Sequence, residues 1–338
     1  MVEPSESVLI LGGTGQAGAG AAALLRRWHP ALPLTIAGRD IGRARQVAAD
    51  LGAATAVTTN LRRGDLGLPT EHRHSAVIAA LWDDRLQGLR YAQDRGLPYL
   101  SISSGLTDIA PEVIAGAHRS GAAPILLASH YCAGSVALAA VHLARQFDRI
   151  DTIRIGAVLD DLDTGGPAGQ ADLQRWATAT SAGLVRRDGV FTWVNGPDAR
   201  AEVHSADGTV LPAQSIAVLD VPSLALATDA PNVRFDFAVG ESAGRRRGEA
   251  PSFEVRIDLD GADRAGMPIS TSSYLVHRAG QRPLTALGIA LGIERLLGLR
   301  GDAVTPGIHT PESLLDPAYA VERMTETGAA FIGAPANS

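Results

Sequence analysis

The sequence predicts a two-domain α/β chain: a parallel sheet wound with helices, then a second α/β domain with a mainly antiparallel sheet. Three observations predict it. Apolar strand-length runs alternate with helix-length segments up to residue 129, which is the rhythm of right-handed βαβ units. Beyond that point the rhythm changes, and residues 190–280 are rich in β signals. The length, 338 residues, suits about two domains of ~150 residues each.

Residues 7–11 form an apolar strand that runs into Gly12-Gly13-Thr14-Gly15-Gln16-Ala17-Gly18. An alanine-rich helix follows over 19–28, with Pro30 and Pro33 as breakers. A second strand, 34–37, ends at Gly38-Arg39-Asp40, and a helix over 43–51 leads to a third strand around 54–58. Residues 76–81 are an apolar run of the buried parallel type. A helix over 85–95 stops at Gly96; strand 99–102, helix 111–120 and strand 124–128 complete the first domain, 1–129.

In the second domain, 130–282, residues 136–147 form an amphipathic helix, and Ile153, Ile155, Ala157 and Leu159 face one way along a strand. Residues 165–169 are a glycine-rich loop, and 171–185 are expected to be helical. Phe253-Glu254-Val255-Arg256-Ile257-Asp258-Leu259 alternates strictly, as a half-exposed strand does, and its expected partner is 269–277 across a turn at 261–266. A long apolar helix over 284–299 opens the last segment, 283–338, so the second domain is an insert.

Composition narrows the function classes. The net charge is −6, which gives no basic surface for nucleic acid. The single cysteine, Cys132, excludes an internal disulfide, and the chain is expected to be cytoplasmic. The acidic start, MVEPSES, lacks the pattern of a leader peptide. Residues 121–144 carry no formal charge, but Pro124, His130, Ser135 and His142 interrupt them, so a buried strand and helix are expected rather than a membrane span. All 30 Lys/Arg positions are arginine. The absence of lysine excludes Schiff-base catalysis, the Walker A lysine and the Tyr-x-x-x-Lys pair of short-chain reductases.

Gly13-x-Gly15-x-x-Gly18 directly follows a strand and opens a helix, which is the context of a dinucleotide-binding Rossmann fingerprint. Gly13 is expected to make the tight turn, Gly15 to admit a pyrophosphate and Gly18 to let helix and strand pack closely. The amides around Thr14, Gly15, Gln16 and Ala17 would face the phosphates at the positive end of the helix. A NAD site usually places an acid at the end of the second strand; Arg39 stands there instead. A guanidinium clamps a 2′-phosphate and cannot accept a ribose hydroxyl, so NADP(H) is the expected cofactor. Asp40 is expected to cap the next helix, and Arg43 is a second phosphate candidate. Leu81 and Trp82 end the fourth strand, under the expected diphosphate, and Ser103 follows the fifth, on the nicotinamide side.

His130 and Tyr131 lie where a strand of the first domain ends, which is where ligands sit in open α/β sheets, and each is a candidate proton donor. Cys132 is expected to be a small buried hydrophobe. No metal site is expected: His72-x-His74 and Asp160, Asp161 and Asp163 read as loops, and Arg245-Arg246-Arg247 as a flexible exposed one.

The head, VLILGGTGQAGAGAAALLRRWHPALPLTIAGRD, with the tail Gly307-Ile308-His309-Thr310-Pro311-Glu312, resembles the saccharopine dehydrogenase-like family, which includes saccharopine reductase and carboxynorspermidine dehydrogenase. The resemblance implies a bilobal oxidoreductase that uses a nicotinamide cofactor on an imine; together with Arg39 it makes NADP-dependent reduction of a C=N bond of an amino-acid-derived small molecule the expected activity. It also implies a homodimer through the second domain and C-terminal helices, 283–338, that pack back on the first. The family's Gly-x-x-Pro-Gly element is replaced here by His130-Tyr131-Cys132-Ala133-Gly134, so a different substrate pocket is expected. Reduction of C=C or C=O bonds, and non-catalytic dinucleotide binding, are the alternatives.

Overall fold

The computed structural model describes residues 6–163 and 165–333. The acidic start therefore lies largely outside the described residues, as do the last five. The first stretch alternates between strand and helix except between β3 and β4, which no helix separates: β1 (Ser7–Leu11), α1 (Gln16–Trp28), β2 (Leu34–Gly38), α2 (Ile41–Leu51), β3 (Ala54–Thr58), β4 (His74–Ala79), α3 (Gln87–Arg95), β5 (Tyr99–Ser101), α4 (Ala110–His118) and β6 (Pro124–Leu127). Then come α5 (Ser135–Ala144), β7 (Arg149–Leu159), α6 (Gly166–Ala179), β8 (Gly183–Arg187), β9 (Val190–Val194), β10 (Arg200–His204), β11 (Val210–Ser215), α7 (Asp220–Thr228), β12 (Asn232–Val239), α8 (Ala243–Arg246), β13 (Phe253–Ala262) and β14 (Pro268–His277). The chain closes with α9 (Arg282–Leu296), β15 (Gly307–His309), α10 (Pro311–Leu314), α11 (Pro317–Glu326) and β16 (Ala329–Gly333).

Two compact units result. The first comprises the chain up to Ser104, Asp108–Ser129 and Thr285–Leu314; the second comprises Gly105–Thr107, His130–Leu284 and the chain from Leu315.

The first unit is a seven-stranded sheet in the order β3-β2-β1-β4-β5-β6-β15, with every pair parallel. The order reverses between β1 and β4, the switch point at which such sheets bind ligands. β1 and β2 are buried along their whole length, as strands covered on both faces must be. Small residues let α9 come close: a Cβ on Gly20 would lie 2.8 Å from Ala286, and one on Gly292 would lie 2.5 Å from Leu100. His29, which closes α1, bonds Glu294 of α9 through Nε2 at 2.8 Å.

The second unit is a mixed nine-stranded sheet, β10-β11-β12-β7-β13-β14-β16, with the β8–β9 hairpin attached to β12. Only the β12–β7 pair on this path is parallel. The alternation read from the sequence sorts its faces. Ile153, Ile155, Ala157, Phe235, Phe253, Val255 and Ile257 are buried on one side, where α5, α7 and α11 pack together and α5 and α7 meet the strands. The opposite face carries charge pairs beside a small buried apolar cluster of Val158, Val203 and Ala238. Arg234 pairs with Asp236, Arg256 with Asp258 and Arg154 with Asp260.

In three places this architecture departs from the elements expected from the sequence. The helix expected over 171–185 is α6 from Gly166, and its last residues are strand β8, because Thr180-Ser181 breaks the helix. The final segment does not all join the first unit: β16 pairs antiparallel with β14, satisfying the outer backbone groups of a long strand that would otherwise be an open edge. The Arg245–Arg247 run is pinned. Arg245 pairs with Asp160 and Asp161, Arg246 with Asp207 and Arg247 with Glu249.

Candidate functional site

In the first unit, the β1–α1 turn carries the candidate cofactor residues. The left-handed conformation falls on Gly12, φ 79°, where a Cβ would sit 2.6 Å from the Ala80 carbonyl and 3.2 Å from Leu81 Cβ. Gly12, rather than Gly13, therefore makes the tight turn. Gly18 does what its spacing predicts: a Cβ there would meet the Gly12 carbonyl at 2.6 Å. The end of β2 closes over the same loop, since a Cβ on Gly38 would lie 2.9 Å from Thr14 Cγ2. The turn thus packs through Gly12 against Leu81 and through Thr14 against the β2 end that leads to Arg39, with Gly13 and Gly18 buried inside it. Gly15 and Gln16 are exposed and Ala17 partly so; Leu81 and Trp82 are partly buried.

The two helix starts here differ. α2 is capped by Asp40, whose Oδ1 accepts from Gly42 N at 2.8 Å and Arg43 N at 3.2 Å. α1 starts at Gly15 with no side-chain cap, so its first-turn N–H groups lack the acceptor that helix starts ordinarily find. Beside them Arg39 is exposed and makes no hydrogen bond or ion pair among the described residues. Asp40 is occupied by its own helix and leaves the end of β2 to the guanidinium. These residues fit a phosphate-bearing dinucleotide: open amides at a positive helix end, close backbone and a free cation.

Further along the sheet, Ser103 and Ser104 are buried in the turn after β5. Ser104 N donates to Ser129 Oγ at 3.0 Å. Ser101 Oγ donates to Glu112 Oε2 at 2.9 Å, and Tyr99 donates to Oε1 at 3.4 Å. Burial pushes the Glu112 carboxyl up, while the hydroxyls of Ser101, Ser104 and Tyr99 pull it back. Asp83, buried beside Leu81 and Trp82, accepts from Gly88 N at 2.6 Å, and burial likewise raises it. Sequence reading missed both acids. The only signal was for Glu112, an acid among apolar neighbours; Asp83, followed by Asp84 and Arg85, gave none.

Tyr131 and His130 belong to the second unit. The Tyr131 ring lies edge-on to Phe235 and Phe237 at 5.5 and 5.2 Å, and stacks on Phe253 at 5.8 Å. Burial holds its phenol well above the usual tyrosine range, and the nearby Cys132, Asp163 and Asp220 push the same way. The ring thus carries a neutral hydroxyl, a hydrogen-bond donor, at working pH. Its hydroxyl has no partner among the described residues. The buried His130 is held by Ser223, Nε2 to Oγ at 2.7 Å. Cys132 is buried, as expected. Gly105, two residues beyond Ser103, belongs to this unit, where a Cβ on it would run into the indole nitrogen of Trp176.

Among the described residues, no group of three or more His, Cys, Asp or Glu is placed to hold a metal. His74, expected in a solvated loop, is instead buried at the start of β4, where its Nδ1 meets Ser7 Oγ at 3.1 Å. No helix among the described residues is long and apolar enough to cross a membrane.

No protein-family model and no curated protein matches this sequence. Solved structures do resemble it. The apo saccharopine dehydrogenase (L-Glu forming) of Saccharomyces cerevisiae matches 98% of this chain and 100% of its own, with a TM-score of 0.67 at 10% identity. A probable dehydrogenase from Thermotoga maritima matches 97% of this chain and 98% of its own, with a TM-score of 0.50 at 11% identity. The chain therefore has the α/β fold of two-domain dehydrogenases, and its fold is similar to that of saccharopine dehydrogenase.

Proposed function

We propose that the protein is an NADP(H)-dependent oxidoreductase of the saccharopine dehydrogenase-like family that reduces a C=N bond of an amino-acid-derived small molecule. The observation that carries the reading is the uncapped α1 N-terminus beside the unpaired Arg39. The shared fold supports the reaction class.

In this reading the amides at the start of α1 hold the diphosphate, and Arg39 holds the 2′-phosphate, with Arg43 one helical turn away. The cofactor, when bound, supplies a hydride. The chain's own residues orient the substrate and provide the proton that its nitrogen needs. Tyr131 is suited to donate that proton, because its phenol stays neutral and unpaired and its aromatic neighbours fix the ring. His130 is the second candidate; its bond to Ser223 ties up one ring nitrogen. A reducing cytoplasm is the proposed setting. A homodimer through the second unit is proposed too, because β9 is paired on one side only and exposes Val190, Phe191 and Trp193. Sedimentation as a monomer at micromolar concentration would reject the dimer.

Fluorescence titration tests the cofactor. NADPH should bind at least tenfold tighter than NADH, a gap of ~1.4 kcal/mol. Arg39→Ala should erase most of that gap and leave NADH binding nearly unchanged. Equal affinity of the wild-type protein for the two cofactors overturns the reading. With a substrate found by NADPH consumption on an imine panel, Tyr131→Phe should lower kcat by roughly two orders of magnitude. Turnover of C=C or C=O compounds alone would reassign the reaction.

A further inference from the structure

The turn that carries Tyr131 is backbone-strained. Cys132 and Ala133 have φ of 50° and 52°, and Gly134 follows at 88°. Nowhere else among the described residues do two consecutive non-glycine residues take positive φ. Each such residue costs about 1–2 kcal/mol, so the conformation persists only where surrounding contacts impose it.

The contacts come chiefly from one face of α7. Asp220 and Ser223 are one turn apart, on the same side of the helix. Asp220 Oδ2 accepts the Tyr131 backbone N–H at 2.8 Å, and Ser223 Oγ meets His130 Nε2 at 2.7 Å. Asp220 is completely buried and Ser223 nearly so. A buried carboxylate is costly unless it is hydrogen-bonded, and this one commits an oxygen to a backbone amide 89 positions away. Two further bonds complete the hold: Ala133 N to the His130 carbonyl at 3.0 Å and Ser135 Oγ to the Leu284 carbonyl at 2.8 Å.

We infer that Asp220 is a positioning residue: by accepting the Tyr131 amide, with Ser223 anchoring His130, it holds the left-handed turn that aims the Tyr131 phenol. The inference rests on the proposed function for its purpose, but not for its test. The carboxylate acts through Tyr131 and need not touch substrate.

Fluorine NMR of the full chain labelled with 3-fluorotyrosine reads the ring without any substrate. Five tyrosines give few resonances, and Tyr131→Phe identifies the one of interest. Asp220→Ala should shift or broaden that resonance. Asp220→Asn retains an acceptor oxygen at the same place and should leave it close to wild type. Ser223→Ala should move it in the same direction by less. An unmoved resonance in Asp220→Ala overturns the inference, as does an equal displacement by Asn and Ala, which would assign the effect to charge. If Asp220→Ala does not fold, Ser223→Ala decides, and an unmoved resonance there is fatal. Activity separates this from the proton-donor reading. If Asp220→Ala displaces the resonance while Tyr131→Phe turns over within about threefold of wild type, the clamp stands and the donor assignment fails. If both hold, Asp220→Ala should lose about ten- to a hundredfold in kcat with NADPH affinity intact, and Asp220→Asn should recover most of it.

Discussion

The turns after β1 and after β6 both lead from a strand into a helix, and both need left-handed backbone. After β1 the requirement falls on Gly12, for which such angles carry little penalty. After β6 it falls on Cys132 and Ala133, which adopt it at a cost. The first turn is local: its glycines touch one another and the neighbouring strand ends. The second is imposed from a distance, by a helix about ninety residues further on. A glycine turn leaves its amides open to a ligand, whereas a clamped turn fixes a side chain.

The largest expected effect breaks the first turn. Gly12→Val places a branched side chain at φ 79° with its Cβ 2.6 Å from the Ala80 carbonyl. We expect about 3 kcal/mol or more of destabilisation, measured by urea unfolding, and no detectable NADPH binding by any folded fraction. Stability within about 1 kcal/mol of wild type would show that the loop relaxes freely.

Acid should distinguish the two units next. His74 lies at the start of β4 in the first, and burial, with the charge of His72, depresses its pKa from 6.5 to about 4. As pH falls below 6.5 the unfolded chain binds a proton that the folded chain refuses. Stability is therefore full above pH 6.5 and drains away down to about pH 4. The loss is about 2 kcal/mol after solvent screening. Hydrogen exchange should show first-unit amides opening before second-unit ones, and His74→Gln should flatten the difference. A pH-independent pattern between 4 and 6.5 would refute the role of His74.

The smallest effect probes the second turn. Ala133→Gly relieves a left-handed residue but frees the unfolded chain, so the net change should lie between zero and about 1 kcal/mol of stabilisation. The same replacement at the exposed helical Ala49 should cost about 1 kcal/mol. Equal losses at the two sites would mean that Ala133 bears no strain.

What was legible in the sequence follows the same division. Glycine spacing, the Asp40 cap and the alternation of Ile153, Ile155 and Ala157 are short-range codes, and the structure carries all three. The shift of the tight turn from Gly13 to Gly12 was invisible, because spacing alone does not say which of two adjacent glycines takes the positive φ. Asp220 and Ser223 could not be found either, since they resemble an ordinary helix start and their partners are set by tertiary packing. The β16 strand was hidden for the same reason: Ala329–Gly333 becomes a strand because β14 offers it an edge. The arginine run at 245–247 looked solvated because most of its acids lie elsewhere in sequence.

The charge pairs on the second sheet have an electrical consequence. Arg234 and Asp236, and Arg256 and Asp258, are neighbours two residues apart on one strand, and each arginine is matched by its own carboxylate. Seen from a distance such pairs are dipoles, whose field dies away much faster than that of a single charge. This surface is densely charged yet nearly silent to an approaching anion. Arg39 makes no ion pair among the described residues and acts as a monopole, so on the proposed reading a phosphate would be drawn toward this protein, whose overall charge is −6, by an arginine left unmatched rather than by an excess of arginine.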